Sequence, residues 1–323
     1  MITAEAFAGK SYAVLGLARS GAATVRALLA SGAHVMAWDD DHKAAQSLIM
    51  QIKEDRRQQG SPVPSFQLKN WLLAKDLSDF DAIIVSPGVP LNRHPVKAKA
   101  ERYGLPIIGD IELFARARPE LPSHKVVGIT GTNGKSTTTA LIHHILKTAG
   151  VPATMGGNIG LPILAQDPLP ESGVYVLELS SYQIDLTQSL DCDVAVLLNI
   201  TPDHLDRYES FEAYAASKER LLEMQSSDHA IVFGSSFHDG RRATYDRYFG
   251  PGPDQRKVQC WRADCMQDPA DLWDPFDSTN WLSVQKDWPS LQGPHNAENA
   301  GAAMGVASVL GLSNEQMDQG LRT

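Results

Sequence analysis

Gly128-Ile129-Thr130-Gly131-Thr132-Asn133-Gly134-Lys135-Ser136 decides how the rest of this chain is read. Before it, residues 125–129 form a short apolar run that predicts a buried strand. After it, residues 136–149 carry apolar side chains at helical spacing. Strand, glycine loop, Lys-Ser and helix is the layout of a phosphate-binding loop. Glycine lets backbone N–H groups turn inward around phosphate oxygens. The helix start adds unsatisfied N–H groups and the positive end of its dipole. In such a loop Lys135 reaches the terminal phosphates and the Ser136 hydroxyl touches magnesium. Ile129 stands where the general G-x-x-x-x-G-K-[ST] pattern has its first glycine, so the segment is a tighter version spanning 131–136. The bland alternative is a glycine-rich strand-to-helix turn that binds nothing.

At 323 residues the chain has room for two domains with separate cores. Hydrophobic residues at 43% and charged residues at 21% are an ordinary globular composition. A formal net charge of −9 argues against a nucleic-acid partner, which needs a basic face. No apolar run reaches transmembrane length and the N-terminus lacks a basic-then-apolar signal, so no membrane partner is expected. Cys192, Cys260 and Cys265 make no disulfide framework, which points to a reducing, cytoplasmic location. Cys260 and Cys265 are at most half a zinc site, with no second pair.

The first hundred residues read as a Rossmann-like β-α-β start. Residues 12–15 are a strand, 16–21 a turn, 22–30 a helix, and 34–38 a second strand ending in Asp39-Asp40-Asp41. Acidic groups at that strand end suit a ribose or base. Ala18 replaces the middle glycine of G-x-G-x-x-G, and a purely structural turn is the competing reading. Residues 43–75 read as a helix followed by a surface loop around Pro62 and Pro64. Residues 81–85 form a buried strand that stops at Ser86-Pro87-Gly88, placing a hydroxyl at the carboxyl edge of a parallel sheet, where ligands bind. A helix over 94–103 and a strand over 105–108 close a domain at 1–109. A helix over 110–117 and a short linker at 119–123 lead into a second domain, 110–323.

In that domain Gly156-Gly157-Asn158-Ile159-Gly160 reads as a flexible loop, with Asn158 its one side chain able both to donate and to accept. A strand over 174–177 delivers Glu178 and then Ser180-Ser181-Tyr182-Gln183. A strand over 194–198 delivers Asn199-Ile200-Thr201-Pro202-Asp203-His204. In a parallel sheet such strand ends lie side by side, collecting Lys135, Ser136, Glu178 and His204 in one cleft. Singly, Glu178 reads as a surface carboxylate and His204 as a loop histidine. A helix over 211–224 carries Lys218, which nothing local marks as more than a solvated charge. Residues 236–290, rich in Asp, Trp and Pro, read as irregular strands and loops without evident chemistry. Asn296 and Asn299 share a face of a helix that begins near Gly293, either to cap it or to hold an adenine edge. Ser313-Asn314-Glu315-Gln316 is a capping-box start. The fold class is therefore α/β: a Rossmann-like N-terminal domain followed by a P-loop-type α/β central ATPase domain with a mostly parallel sheet.

Five stretches together resemble the Mur ligase family of peptidoglycan synthesis. They run from Gly131 to Thr137, from Gly156 to Gly160, from Leu177 to Gln183, from Asn199 to Arg207 and from His295 to Asn299. In the first domain, the stretches from Gly16 to Gly21, Ser86 to Pro90 and Gly109 to Phe114 are similar to the branch that adds D-glutamate to UDP-N-acetylmuramoyl-L-alanine. The resemblance implies a uridine nucleotide held by Arg19, Ser20, Asp39, Asp40 and Ser86. It implies that Asn158, Gln183 and His204 meet the sugar and its alanyl arm. ATP would lie on Gly131, Thr132, Asn133, Gly134, Lys135, Ser136 and Thr137, with Asn296 and Asn299 near the adenine. Two Mg2+ ions are implied, one at Ser136 and Glu178, the other at His204 and a carbamylated Lys218. Lys135, Glu178, His204 and Lys218 would be the catalytic set of an amide ligation that passes through an acyl phosphate. Family members carry a third, C-terminal domain for the incoming amino acid, and this chain ends at Thr323, about where that domain begins. An inactive two-domain fragment, monomeric, is the expectation. The rivals are a sister Mur-type or folylpolyglutamate ligase, a nucleotide-binding module that does no ligation, and an NAD-dependent oxidoreductase, which leaves Lys135, Glu178 and His204 unexplained.

Overall fold

The computed structural model describes residues 1–59, 65–203, 206–234, 258–259 and 285–323. The sequence readings for Pro62, Pro64, Cys260, Cys265 and His204, and for most of 236–290, lie outside these residues.

Apolar runs too short for helices become strands, and the amphipathic stretches between them become crossover helices. The first sheet contains β1 (Ser11–Leu15), β2 (His34–Trp38), β3 (Phe66–Leu68), β4 (Ala82–Val85) and β5 (Ile107–Ile108), in the order β3-β2-β1-β4-β5 and all parallel. This is the order of the first five strands of the six-stranded Rossmann sheet. Helices α1 (Arg19–Ala30), α2 (His42–Gln59) and α3 (Val96–Tyr103) make its crossovers. Helix α1 begins at Arg19, three residues earlier than the sequence suggested. Ala18 caps it in an extended conformation with φ −64°, which alanine adopts without strain, so losing the middle glycine costs the turn nothing. The third glycine is different: a Cβ on Gly21 would lie 1.8 Å from Gly16 O, so helix and strand meet this closely only with glycine there. Strand β3 was not anticipated. Its three residues are too few to show a period, and it exists by pairing with β2.

Helix α4 (Asp110–Ala117) carries the chain to the second sheet, and Leu113 and Phe114 join a buried apolar cluster that includes residues of both sheets. The second sheet contains β6 (His124–Thr130), β7 (Ala153–Gly157), β8 (Gly173–Glu178), β9 (Val194–Leu197), β10 (Ala230–Phe233) and β11 (Val258–Gln259). Their order is β11-β10-β9-β6-β8-β7, with every described pair parallel. Gly156 and Gly157, read from sequence as part of a flexible loop, belong to strand β7, because pairing with β8 overrides the poor strand propensity of glycine.

Between the strands run α5 (Lys135–Thr148), α6 (Ser181–Asp185) and α7 (Phe211–Glu223), followed by α8 (Pro294–Val309) and α9 (Asn314–Arg322). Leu141, Ile142, Ile145 and Leu146 of α5 are buried in one cluster with strands of this sheet and with α8 and α9. Each such burial contributes about 2 kcal/mol. Ser313 and Gln316 form the capping box read from the sequence, and Ser180 and Gln183 form another at the start of α6. Strand β6 lies between β8 and β9, so their carboxyl ends meet where the strand order reverses, and that reversal opens the ligand crevice of such sheets.

Candidate active site

The loop after β6 is pinned by the loop after β9. Asn199 is the main anchor: its backbone carbonyl accepts from Thr132 N at 2.9 Å and its Oδ1 from Asn133 N at 2.9 Å. Its Nδ2 donates to Asn133 O at 3.1 Å. Gly134 caps α5 with φ +83°, and no side chain caps the helix or places an acid in its first turn. The leading N–H groups of α5 are therefore left to meet an anion. Thr138 Oγ1 donates to Asn299 Oδ1 at 3.2 Å, and Asn299 Nδ2 reaches Asn296 Oδ1 at 3.4 Å. Asn296 Nδ2 donates to Gln292 O at 3.0 Å. The asparagine pair thus abuts the phosphate loop and does not cap its own helix, whose N-cap is Gly293.

Lys135 and Ser136 open α5. Lys135 Nζ donates to Thr132 O at 2.8 Å, and burial holds its pKa below the ordinary lysine value despite the attraction of Glu178 and Asp203. Ser136 Oγ donates to Glu178 Oε2 at 2.7 Å, and Asn158 Nδ2 donates to Glu178 Oε1 at 2.8 Å. Glu178 is 1% exposed, the last residue of β8, so its reading as a surface carboxylate fails. Thr137 follows on the exposed side of the first turn.

Lys218 corrects the reading of a solvated charge. It is 2% exposed, and its Nζ donates to Gly131 O at 2.8 Å and lies 4.8 Å from the centroid of the Tyr214 ring. Burial, with Lys135 nearby, pushes its pKa down to about 7, against the pull of Asp203 and Asp185. Tyr214, which the sequence did not single out, shares a hydrogen bond of 3.1 Å with Thr132 Oγ1. It lies four residues before Lys218, on the same helix face, and that spacing was the available signal.

The first-domain candidates gather at the carboxyl edge of the first sheet. Asp39 accepts from Leu17 N at 2.5 Å and from Asp41 N at 2.8 Å, bracing the turn between β1 and α1. Asp40 accepts from Trp38 Nε1 at 3.1 Å. Ser86 Oγ donates to Gly16 O at 2.9 Å. Arg19 Nη2 donates to Gly160 O at 2.6 Å, across to the second sheet. Ser20 opens α1 beside these groups, and the buried Asp110, whose Oδ1 accepts from Ile111 N at 3.0 Å, has its pKa raised by burial to about 6. Gln183 is 2% exposed, and its Oε1 accepts from Ser180 N and Oγ, both at 3.1 Å.

Among the described residues no group of three or more His, Cys, Asp or Glu is placed to hold a metal. The Ser136 hydroxyl and Glu178 carboxylate nevertheless form a hard oxygen pair, and Mg2+ commonly takes one or two protein oxygens and completes its shell with phosphate and water. The donor set fits that ion. As an amine, Lys218 supplies no oxygen ligand.

Fold and site define an α/β protein built around a glycine-rich strand-to-helix loop at a sheet crossover. A model of the Mur ligase middle domain matches residues 129–307, and one of the Mur ligase MurD-like N-terminal domain matches residues 10–109. The chain is 54% identical over 325 residues to the UDP-N-acetylmuramoylalanine--D-glutamate ligase of Sphingopyxis alaskensis, covering 100% of this chain and 66% of that protein. It is 53% identical over 325 residues to the enzyme of the same name from Zymomonas mobilis, covering 99% and 68%. A crystal structure of UDP-N-acetylmuramate:L-alanyl-gamma-D-glutamyl-meso-diaminopimelate ligase from Neisseria meningitides superposes with a TM-score of 0.57 at 18% identity, covering 97% of this chain and 98% of that one. That likeness carries the fold. The chain belongs to the Mur ligase family, and it spans about two thirds of the length of the curated relatives it matches. An oxidoreductase is not favoured. No described helix is long and apolar enough to cross a membrane.

Proposed function

We propose that this chain carries the nucleotide-binding parts of an ATP-dependent ligase of the cytoplasm that adds D-glutamate to UDP-N-acetylmuramoyl-L-alanine. The single observation that carries the reading is Ser136 on Glu178, beside Lys135, at the meeting of β6 and β8. The names of the relatives at 54% and 53% identity supply the substrates.

A carboxylate is a poor electrophile, so the alanyl carboxylate would first attack the γ-phosphorus of ATP, breaking its bond to the β,γ-bridging oxygen, releasing ADP and giving an acyl phosphate. The D-glutamate amine then displaces phosphate. Lys135 and the N–H groups of α5 would hold the phosphates and balance charge as it moves between oxygens. Ser136 and Glu178 would hold one Mg2+, which when bound neutralises the phosphoryl oxygens. Burial beside Lys135 pushes the Lys218 pKa down toward neutrality and so favours its uncharged amine. An uncharged amine is nucleophilic toward carbon dioxide, and its carbamate would offer oxygens to a second Mg2+ together with His204. Arg19, Ser20, Asp39, Asp40 and Ser86 would hold the uridine nucleotide, with Asn158 and Gln183 toward the sugar and its alanyl arm, and Asn296 and Asn299 beside the adenine.

Calorimetric titration with a non-hydrolysable ATP analogue tests the reading. Binding should be strengthened by magnesium and be lost in Lys135→Ala, with none for NADH. Binding as tight in EDTA as in magnesium, or tight NADH binding, would remove the ligase reading.

A further inference from the structure

The loops after β4 and β9 hold each other across the space between the two sheets. Asn92 Nδ2 and Arg93 Nη2 each donate to Asp206 O at 3.2 Å. In return, Arg207 Nη2 donates to Pro87 O at 3.3 Å and Gly88 O at 3.2 Å. The same guanidinium lies over the Tyr182 ring, 4.3 Å from its centroid. Tyr182 stacks on Tyr208 with centroids 6.1 Å apart and planes 14° apart, and Tyr208 meets Tyr214 at 5.4 Å. Tyr214 in turn touches Thr132 and Lys218. Tyr208 is fixed in place, its hydroxyl donating to Asp185 Oδ2 at 2.8 Å. At the far end, Ser86 ties the same β4 loop to Gly16. An unbroken set of contacts therefore joins the turn after β1 to the phosphate loop after β6, and Arg207 is where it crosses between sheets.

We propose that Arg207 is a positioning residue that couples occupancy of the first-domain turn to the phosphate loop, through Tyr182, Tyr208 and Tyr214. The inference rests on the proposed reading that a uridine-linked substrate sits on that turn. Arginine suits the place because a planar guanidinium stacks on a ring face while its edge donates to two carbonyls, whereas a lysine ammonium is a strongly hydrated point charge. A ligand that shifts the β4 loop shifts Arg207 with it, and the ring contacts carry the displacement through the buried Tyr214 to Thr132 and Lys218.

The test measures affinity of this chain for a magnesium-bound, non-hydrolysable ATP analogue, with and without saturating UDP-N-acetylmuramoyl-L-alanine. In the unaltered chain the UDP ligand should change that affinity by about fivefold or more. In Arg207→Lys and in Tyr182→Leu the change should shrink to under about twofold, while each ligand alone binds within about twofold of the unaltered chain. Coupling that survives both substitutions, or is absent from the unaltered chain, would overturn the proposal. So would weakened binding of either ligand alone in both variants, which would make Arg207 a structural or contact residue. Failure of the unaltered chain to bind the UDP ligand at all is a separate result. It would refute the substrate reading, and the coupling with it.

Discussion

Ser136 Oγ sits 2.7 Å from Glu178 Oε2, joining the first turn of α5 to the last residue of β8. A buried carboxylate gains from such a donor, and a cation placed between the two oxygens would replace that donor in neutralising it. Glu178→Gln should therefore lower affinity for the magnesium-bound ATP analogue by about 10- to 100-fold, the range expected for losing a charged partner worth about 1.5–3 kcal/mol. Affinity for the magnesium-free analogue should change little. Titrations with magnesium and with EDTA check this, and an equal loss in both would place Glu178 outside the metal site.

Lys218 should leave a mark on stability. Its folded pKa is about 7 against an ordinary 10.5, so between those values the unfolded chain holds one more proton than the folded one. Stability from this group is full above the unfolded pKa and is lost as pH falls toward 7. The stability of the unaltered chain minus that of Lys218→Met should rise with pH across this window, by up to about 1.4 kcal/mol per unit. Urea unfolding at a series of pH values measures it, and a flat difference would contradict the burial of an amine there.

Asp110 has the opposite sign. Burial raises its pKa from 3.8 to about 6, and its Oδ2 has no hydrogen-bond partner. The folded chain then binds the extra proton, so stability present at low pH is lost as pH rises through about 6. Asp110→Asn should gain on the unaltered chain between pH 4 and 6, roughly the interval between the two pKa values, and hold that gain above it. Thermal melts across this range decide the matter.

Gly134 has φ +83°, and a Cβ there would lie 2.4 Å from Asn299 Oδ1. Gly134→Ala should destabilise the chain by about 1–3 kcal/mol through backbone strain and displacement of Asn299. Denaturant unfolding reads the cost. The double variant with Asn299→Ala should recover part of it, because the clash goes while the strain stays.

Much of the fold was legible where local pattern and tertiary role agree. The apolar run before Gly131 and the helical spacing after Lys135 each had one reading, and β6 and α5 follow it closely. Strand β7 was hidden because Gly156 and Gly157 resemble a loop until β8 lies beside them. The start of α1 was misplaced because Arg19 and Ser20 look like turn residues, and only the close approach of Gly21 to Gly16 shows that the helix has already begun. The meeting of Lys135, Ser136 and Glu178 was legible, since parallel strands place their ends together. The burial of Lys218 was not, because the polar neighbours Ser217, Glu219 and Arg220 give no hint that α7 turns this residue inward. Asp39 and Ser86 were found as polar strand ends, but their hydrogen bonds to Leu17 and Gly16 follow from strand order and needed the sheet.

Calorimetric titration of this chain with UDP-N-acetylmuramoyl-L-alanine, beside UDP alone, tests the ligase reading most directly. Saturable binding tighter than that of UDP, weakened by Ser86→Ala, is the expected result. Binding no tighter than that of UDP, or unchanged by Ser86→Ala, would contradict the assignment of the first-domain turn to a muramoyl-alanine substrate.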